Sequence, residues 1–247
     1  MKSLAASFRS KREARRCYLH FDQTVCVSQV VHDDFVGILN FNKPCRVLYN
    51  TVESDTILMG AKGEAPGLLS DDKIRLIAVG TLKEIKGYDR MLRIIKRLRD
   101  EKYPVHLYIL GIGPLQVQME KYISTYALQP VVTLLGYQTN PYQYISKCDV
   151  FICASHAEGF STAATEALIV GTPVCTVNVS GMKEMLGSNN EYGIVTVNDE
   201  NSLYKGIKKL LDNPELLSYY KTKASERGTM FSTKETVDAV QNMLLNL

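Results

Sequence analysis

Residues 73–100 read KIRLIAVGTLKEIKGYDRMLRIIKRLRD. The opening run, residues 74–79, is short, apolar and rich in β-branched side chains, and it stops at Gly80, as a strand does. Beyond the turn, Tyr88, Met91, Leu92, Ile95 and Leu98 recur at three- and four-residue spacing while Arg93, Lys96, Arg97 and Arg99 take the opposite face. That is the period of an amphipathic helix. Strand then helix is one β-α unit of a parallel sheet, and the pattern repeats downstream.

Strands are predicted at residues 105–110, 131–135 (ended by Gly136), 150–154, 173–177 and 193–197. Helices are predicted at about 114–126, with Pro114 in the first turn, then at about 141–147, 162–170 and 182–186, and finally at 200–211, 214–227 and 233–245. Six strands alternating with helices define an α/β chain with one complete doubly wound unit over residues 73–247. Upstream, two short strands at 24–28 and 46–49 flank a helix at about 30–39; two strands leave faces that need more chain, or another chain, to bury. Residues 51–72 are rich in Gly, Ser, Asp and Pro without a sustained period and read as a linker.

The 247 residues are 45% hydrophobic and 22% charged, the composition of a folded globular chain. A net charge of +3, evenly spread, gives no reason to expect nucleic acid as a partner. Its local exception is Arg9, Lys11, Arg12, Arg15 and Arg16 against Glu13, which is most often a solvated helix face and alternatively a contact with an anionic membrane. No apolar run approaches the ~20 residues of a membrane span, and residues 1–10 lack the apolar core of a secretory signal. A cytoplasmic location follows as the expectation, with peripheral attachment at the inner face of the membrane as an option. The six cysteines form no CxxC pair and read as small buried hydrophobes.

The densest chemical signal is residues 155–168, SHAEGFSTAATEAL. Glu158 falls on the loop after a strand, where open α/β sheets place ligands; Glu166 lies about one turn into the next helix. Between them the backbone N–H groups of Gly159, Phe160, Ser161 and Thr162 form a natural anion site at a helix N-terminus. Gly159 permits close approach of a phosphate. An anion held there leaves the two glutamates to accept hydroxyls, a sugar on one side and a ribose on the other. Taken alone, Glu158 also reads as a solvated loop residue and Glu166 as a structural partner.

In this wording the chain resembles glycosyltransferase family 4, whose members are retaining enzymes of the two-Rossmann-domain GT-B fold. Glu158 to Glu166 matches the E-x7-E motif. Gly80-Thr81-Leu82 through Lys86-Gly87 resembles the G-R-L-x-x-x-K-G turn. Gly171-Thr172-Pro173-Val174, and Gly181 with Glu184, match G-x-P-V and G-x-x-E. Ser28 and Leu48-Tyr49-Asn50 resemble signposts at the end of the acceptor domain. The resemblance implies transfer of a sugar from a nucleoside diphosphate, UDP first and GDP next, to a glycan or polyprenyl-linked acceptor. It suggests bacterial enzymes of capsular, lipopolysaccharide or other surface glycans.

On that basis Glu158 orients the donor sugar, Lys86 holds the diphosphate together with the amides of residues 159–162, and Glu166 grips the ribose. Residues 1–50 become the tail of an acceptor-binding domain whose larger part is missing. Thr81 stands where the family has arginine, with Lys83 and Arg90 as candidate substitutes. Gly136 and Tyr137 are candidates to border the base, and core packing accounts for the tyrosines there equally well. No D-x-D pair is present, so no metal and no cofactor are expected. The other reading is a non-catalytic nucleotide-sugar-binding fragment or subunit that needs a separate acceptor domain. His156 is weighed as catalytic and more often structural. Gly111-Ile112-Gly113 lacks the third glycine of a dinucleotide fingerprint and is assigned to close strand-helix packing.

Overall fold

The computed structural model describes residues 8, 10–69, 72–179 and 181–246. Arg9 of the basic stretch, residues 1–7 of the leader reading and residues 70–71 of the linker lie outside them. In chain order the helices are α1 (Lys11–Tyr18), α2 (Gln29–Leu39), α3 (Ser54–Gly60), α4 (Tyr88–Asp100), α5 (Gln116–Thr125), α6 (Tyr142–Ile145), α7 (Thr162–Ile169), α8 (Met182–Leu186), α9 (Glu200–Leu211), α10 (Pro214–Gly228) and α11 (Thr233–Leu245). The strands are β1 (Thr24–Cys26), β2 (Cys45–Val47), β3 (Ile74–Val79), β4 (Val105–Leu110), β5 (Val132–Gly136), β6 (Val150–Cys153), β7 (Val174–Val177) and β8 (Ile194–Thr196).

Strands β3 to β8 form one parallel sheet in the order β5-β4-β3-β6-β7-β8. The first strand in sequence is therefore central. From it the chain winds outward to β5 with α4 and α5 packed against one another, then returns to β6 and winds the other way, with α6 and α7 in mutual contact and α10 laid over α7. Strands β4, β6 and β7 are buried along their whole length, which is why they read as unbroken apolar runs. Helix α4 drives Met91, Leu92, Ile94, Ile95 and Leu98 into this core at no more than 1% exposure.

The upstream unit holds the two short strands and the intervening helix that the sequence suggested. Strands β1 and β2 do pair, in parallel, and Ala14, Cys26, Phe35, Leu39 and Phe41 form a separate apolar cluster beneath α1 and α2. Helix α1 leaves Lys11, Arg12 and Arg16 exposed and turns Ala14 inward. Val25, in the middle of β1, remains 42% exposed.

Residues 51–69 are not a free linker. Helix α3 lies within them, and its first residue exchanges hydrogen bonds with the last helix: Ser54 N–H donates to Thr233 Oγ1 at 2.8 Å and Thr233 N–H to Ser54 Oγ at 3.1 Å. Asn140 Nδ2 reaches Gly60 O at 3.0 Å and Ser146 Oγ reaches Ala61 O. Pro114 also departs from its assignment, lying in the turn before α5 instead of its first turn. Of the cysteines, Cys26, Cys148, Cys153 and Cys175 are buried, whereas Cys17 is exposed and Cys45 intermediate. Among the described residues no helix is long and apolar enough to cross a membrane.

Candidate functional site

Between β3 and β6 the winding reverses, and the crevice at the carboxyl ends of those two strands is where doubly wound sheets bind ligands. Lys86 follows β3 and Glu158 follows β6, so both arrive at this point from opposite halves of the fold. Lys86 closes a 3₁₀ turn, Glu84–Lys86, and its Nζ donates to Glu158 Oε1 at 2.7 Å. Ser155 Oγ donates to the same oxygen at 2.6 Å. Sequence reasoning did not single out Ser155; its position two residues past the strand was the available signal.

The two segments are strapped together by backbone. His156 N–H donates to Ile85 O at 2.7 Å. Gly87 has φ +66°, and a Cβ there would stand 2.0 Å from Ala154 O, so only glycine lets the turn seat on the end of β6. Arg90 completes the strap. The residue is 4% exposed, and its guanidinium donates through Nε to Ala154 O at 2.6 Å, through one terminal nitrogen to Ala154 O and to Ser155 O at 2.8 Å, and through the other to Asn198 Oδ1 at 2.9 Å. Burial lowers its pKa. Arg90 is therefore not a substitute for the family's diphosphate-binding arginine: its donors are committed to carbonyls that would otherwise be unsatisfied. Lys83 is exposed beside Thr81 and remains available.

From Glu158 the loop enters α7. Ser161 caps it, accepting from Ala164 N–H at 3.3 Å, and is buried, while Thr162 is exposed. Gly159 is exposed, with Val27 of the small unit beside it. Phe160 turns its ring inward, 7% exposed, and stacks on Tyr49 with ring centroids 5.0 Å apart. Only its backbone is left for a ligand. Glu166 lies one turn into α7, and burial pushes its pKa up to about 7, against the Tyr142 hydroxyl hydrogen bond that lowers it. Tyr142, the first residue of α6, is thus the neighbour of the second glutamate.

Thr81, Gly136 and Tyr137 share this end of the sheet. Gly80 N–H donates to Leu110 O at 3.0 Å and Gly111 N–H to Gly136 O at 2.8 Å, aligning the ends of β3, β4 and β5. Thr81 is exposed and Tyr137 is 68% exposed. Gly111 and Gly113 serve a closer approach than strand-helix packing: a Cβ on either would meet the backbone of Gly80 or Leu82 within 2.0 or 2.6 Å. His156 is half-exposed, with Nε2 4.0 Å from Asp89 Oδ1, and faces a cavity of about 770 Å³ on the far side of the strap, lined by Ile85, Leu92, Met119 and Tyr122.

Residues 64–227 match the family model described as glycosyl transferases group 1. The chain belongs to that family. Over 205 residues it is 36% identical to the N-acetylgalactosamine-N,N'-diacetylbacillosaminyl-diphospho-undecaprenol 4-alpha-N-acetylgalactosaminyltransferase of Campylobacter jejuni, covering 82% of this chain and 54% of that protein. It is 22% identical over 193 residues to the capsular polysaccharide biosynthesis glycosyltransferase CapM of Staphylococcus aureus, covering 78% of this chain and 50% of that one. The crystal structure of Anabaena HepE in complex with UDP superposes with TM-score 0.81 at 16% identity, covering 96% of this chain and 67% of that one. S. aureus TarM, solved with UDP, gives TM-score 0.78 at 18% identity, over 95% and 46%. These structures establish the GT-B fold for this group 1 member. The chain spans about half the length of the curated relatives it matches first.

Proposed function

We propose that this chain supplies the donor half of a retaining, family 4 glycosyltransferase of surface-glycan assembly. In this reading Lys86 and the amides of residues 159–162 hold the diphosphate of a nucleotide sugar, UDP first, without a metal. Glu158 orients the sugar, Glu166 takes the ribose hydroxyls, and Thr81, Gly136 and Tyr137 border the nucleotide. The observation that carries it is the meeting of Lys86 and Glu158 at 2.7 Å across the point where the sheet reverses. A cation for the leaving group and an acceptor for sugar hydroxyls stand side by side, and the group 1 membership supplies the reaction class.

Charge developing on the departing diphosphate would be met by the Lys86 ammonium and by the positive end of α7. Residues 1–50 are proposed to belong to the acceptor side of the cleft, with transfer requiring the rest of that side to align the acceptor. Polyprenyl diphosphate-linked glycans head the acceptors to test and N-acetylgalactosamine the sugars, because the Campylobacter relative is named for that class of acceptor and for transfer of that sugar; with UDP as the first nucleotide, UDP-N-acetylgalactosamine is the first donor to try.

Calorimetric titration of the chain with UDP and GDP, with magnesium and with chelator, tests the reading. Saturable binding of one nucleotide that survives chelation and weakens by roughly tenfold or more in Lys86→Ala and in Glu166→Ala is the expected result. No binding by a folded chain overturns it.

A further inference from the structure

We infer that the Lys86–Glu158 ion pair is a built-in counter-charge that makes this site favour a nucleoside diphosphate bearing a sugar over the same nucleotide without one. The inference rests on the donor-site reading and adds to it the reason why donor and spent nucleotide differ.

The pair is not a chance meeting of two surface chains, whose coupling is ordinarily weak. Glu158 is 11% exposed and Lys86 30%. Glu158 Oε1 takes a second donor, Ser155 Oγ, at 2.6 Å. The backbones on both sides are tied by the Ile85–His156 hydrogen bond, by the seating of Gly87 on Ala154 O and by the buried guanidinium of Arg90. Beside the closed pair, the cavity bounded by Lys86, Tyr88, Ser155, Glu158 and Ser161 measures about 20 Å³, room for one water and none for a phosphate. An anion therefore reaches the Lys86 ammonium only from its exposed side, where it competes with Glu158 for the one cation and draws it away from the carboxylate.

Parting the pair has different consequences for two ligands. A nucleoside diphosphate claims the ammonium, leaves a mostly buried carboxylate without its cation, and sets more negative charge near it; removing one partner of a buried pair is what makes such pairs costly. A nucleotide sugar imposes the same separation, but its sugar hydroxyls donate to the freed carboxylate and replace the lost partner. Glu158 thus opposes the product and accepts the donor. Once the sugar has been transferred, Glu158 recaptures Lys86 and the nucleotide loses its cation, which favours release.

Titration of the full 247-residue chain with UDP and, separately, UDP-N-acetylgalactosamine, for the native sequence and for Glu158→Gln, reads this directly. The amide is isosteric, keeps a hydrogen-bonding oxygen and removes the charge. Expected is UDP binding tighter by roughly five- to tenfold, the effect of deleting one nearby like charge, with the sugar nucleotide no tighter than before. The preference for donor over product then shrinks by that factor. Unchanged or weaker UDP binding by Glu158→Gln, beside a native chain that binds UDP, overturns the counter-charge and leaves the donor-site reading standing; a folded native chain that binds neither nucleotide overturns both. Should the variant fail to fold, the native chain labelled with ¹³C at lysine Cε decides, the Lys86 signal being assigned by its loss in Lys86→Arg. Saturating UDP must shift that signal, and an unmoved signal overturns the exchange of partners.

Discussion

Glu166 is the residue whose chemistry is most exposed to test, because its pKa is raised to about 7 by burial. For an acid raised in the folded state, the folded chain holds the extra proton between the unfolded value and about 7, so stability is fully present below that window and falls as pH rises through it. Ribose hydroxyls, if they bind there, favour the ionised form, so affinity moves in the opposite direction and uptake of nucleotide near neutrality releases a proton. Two curves of opposite slope are therefore expected: thermal stability declining from about pH 5 to 7, and nucleotide affinity rising up to about pH 7 and level above it, where Glu166 is already ionised. Glu166→Gln should flatten the first and remove its share of the second, as measured by scanning calorimetry and by titration in buffers of different ionisation enthalpy. Both glutamates and Lys86 were legible in the sequence because motif spacing carries them. The roles of Arg90, Ser155 and Tyr142 were not, since each depends on which carbonyl or carboxylate the fold brings near. Arg90 left one trace, a cation beside Met91 on the apolar stripe of α4.

At the scale of elements, the decisive unit is the strap between the turn at 84–87 and the loop after β6. Gly87→Ala forces a side chain into the left-handed region and drives its Cβ to 2.0 Å from Ala154 O, a backbone contact that cannot rotate away. A loss of roughly 2 kcal/mol or more is expected, read as a lowered denaturant midpoint with unchanged slope. Arg90→Met keeps length and loses every donor, stranding the Ala154 and Ser155 carbonyls; it should cost a comparable amount and loosen the Glu158 loop in hydrogen exchange. The six strands of the large sheet were readable to within about one residue at each end: full burial makes the apolar runs of β4, β6 and β7 continuous, while the partly buried β3, β5 and β8 are each bounded by a glycine, Gly80, Gly136 and Gly193. Helix α3 was missed for a physical reason. Its seven residues, Ser54–Gly60, have too few turns to display a period, and what holds them is the reciprocal hydrogen bonding of Ser54 with Thr233, 179 positions away.

The whole molecule joins its small sheet to the large one through a compact polar and aromatic contact. Tyr49, just after β2, stacks on Phe160 of the Glu158 loop, meets Phe231 edge-on with centroids 5.7 Å apart, and donates its hydroxyl to Glu184 Oε1 at 2.8 Å. The other oxygen of Glu184 accepts from Gln29 N–H, the first residue of α2, at 2.8 Å. One carboxylate on α8 therefore ties both a strand end and a helix start of the small unit to the large one. The family motif identified Glu184 in the sequence, but its partners lie 135 and 155 positions away and no local pattern announces them. Among the described residues the small sheet's own apolar cluster has five buried members with seven partly buried side chains packed against them, and two strands are marginal alone. Truncating Tyr49 should therefore release the small unit selectively. In Tyr49→Ala, amide exchange across α2 and β1 should accelerate by roughly tenfold or more, the loss of about 1.4 kcal/mol of local stability, while β3, β4 and β6 keep their protection. Tyr49→Phe, which retains the stack and drops the hydroxyl, should fall between the two. Equal acceleration throughout the chain in Tyr49→Ala would mean that the two sheets unfold as one unit, and that the contact around Glu184 transmits stability across the cleft instead of merely joining its sides.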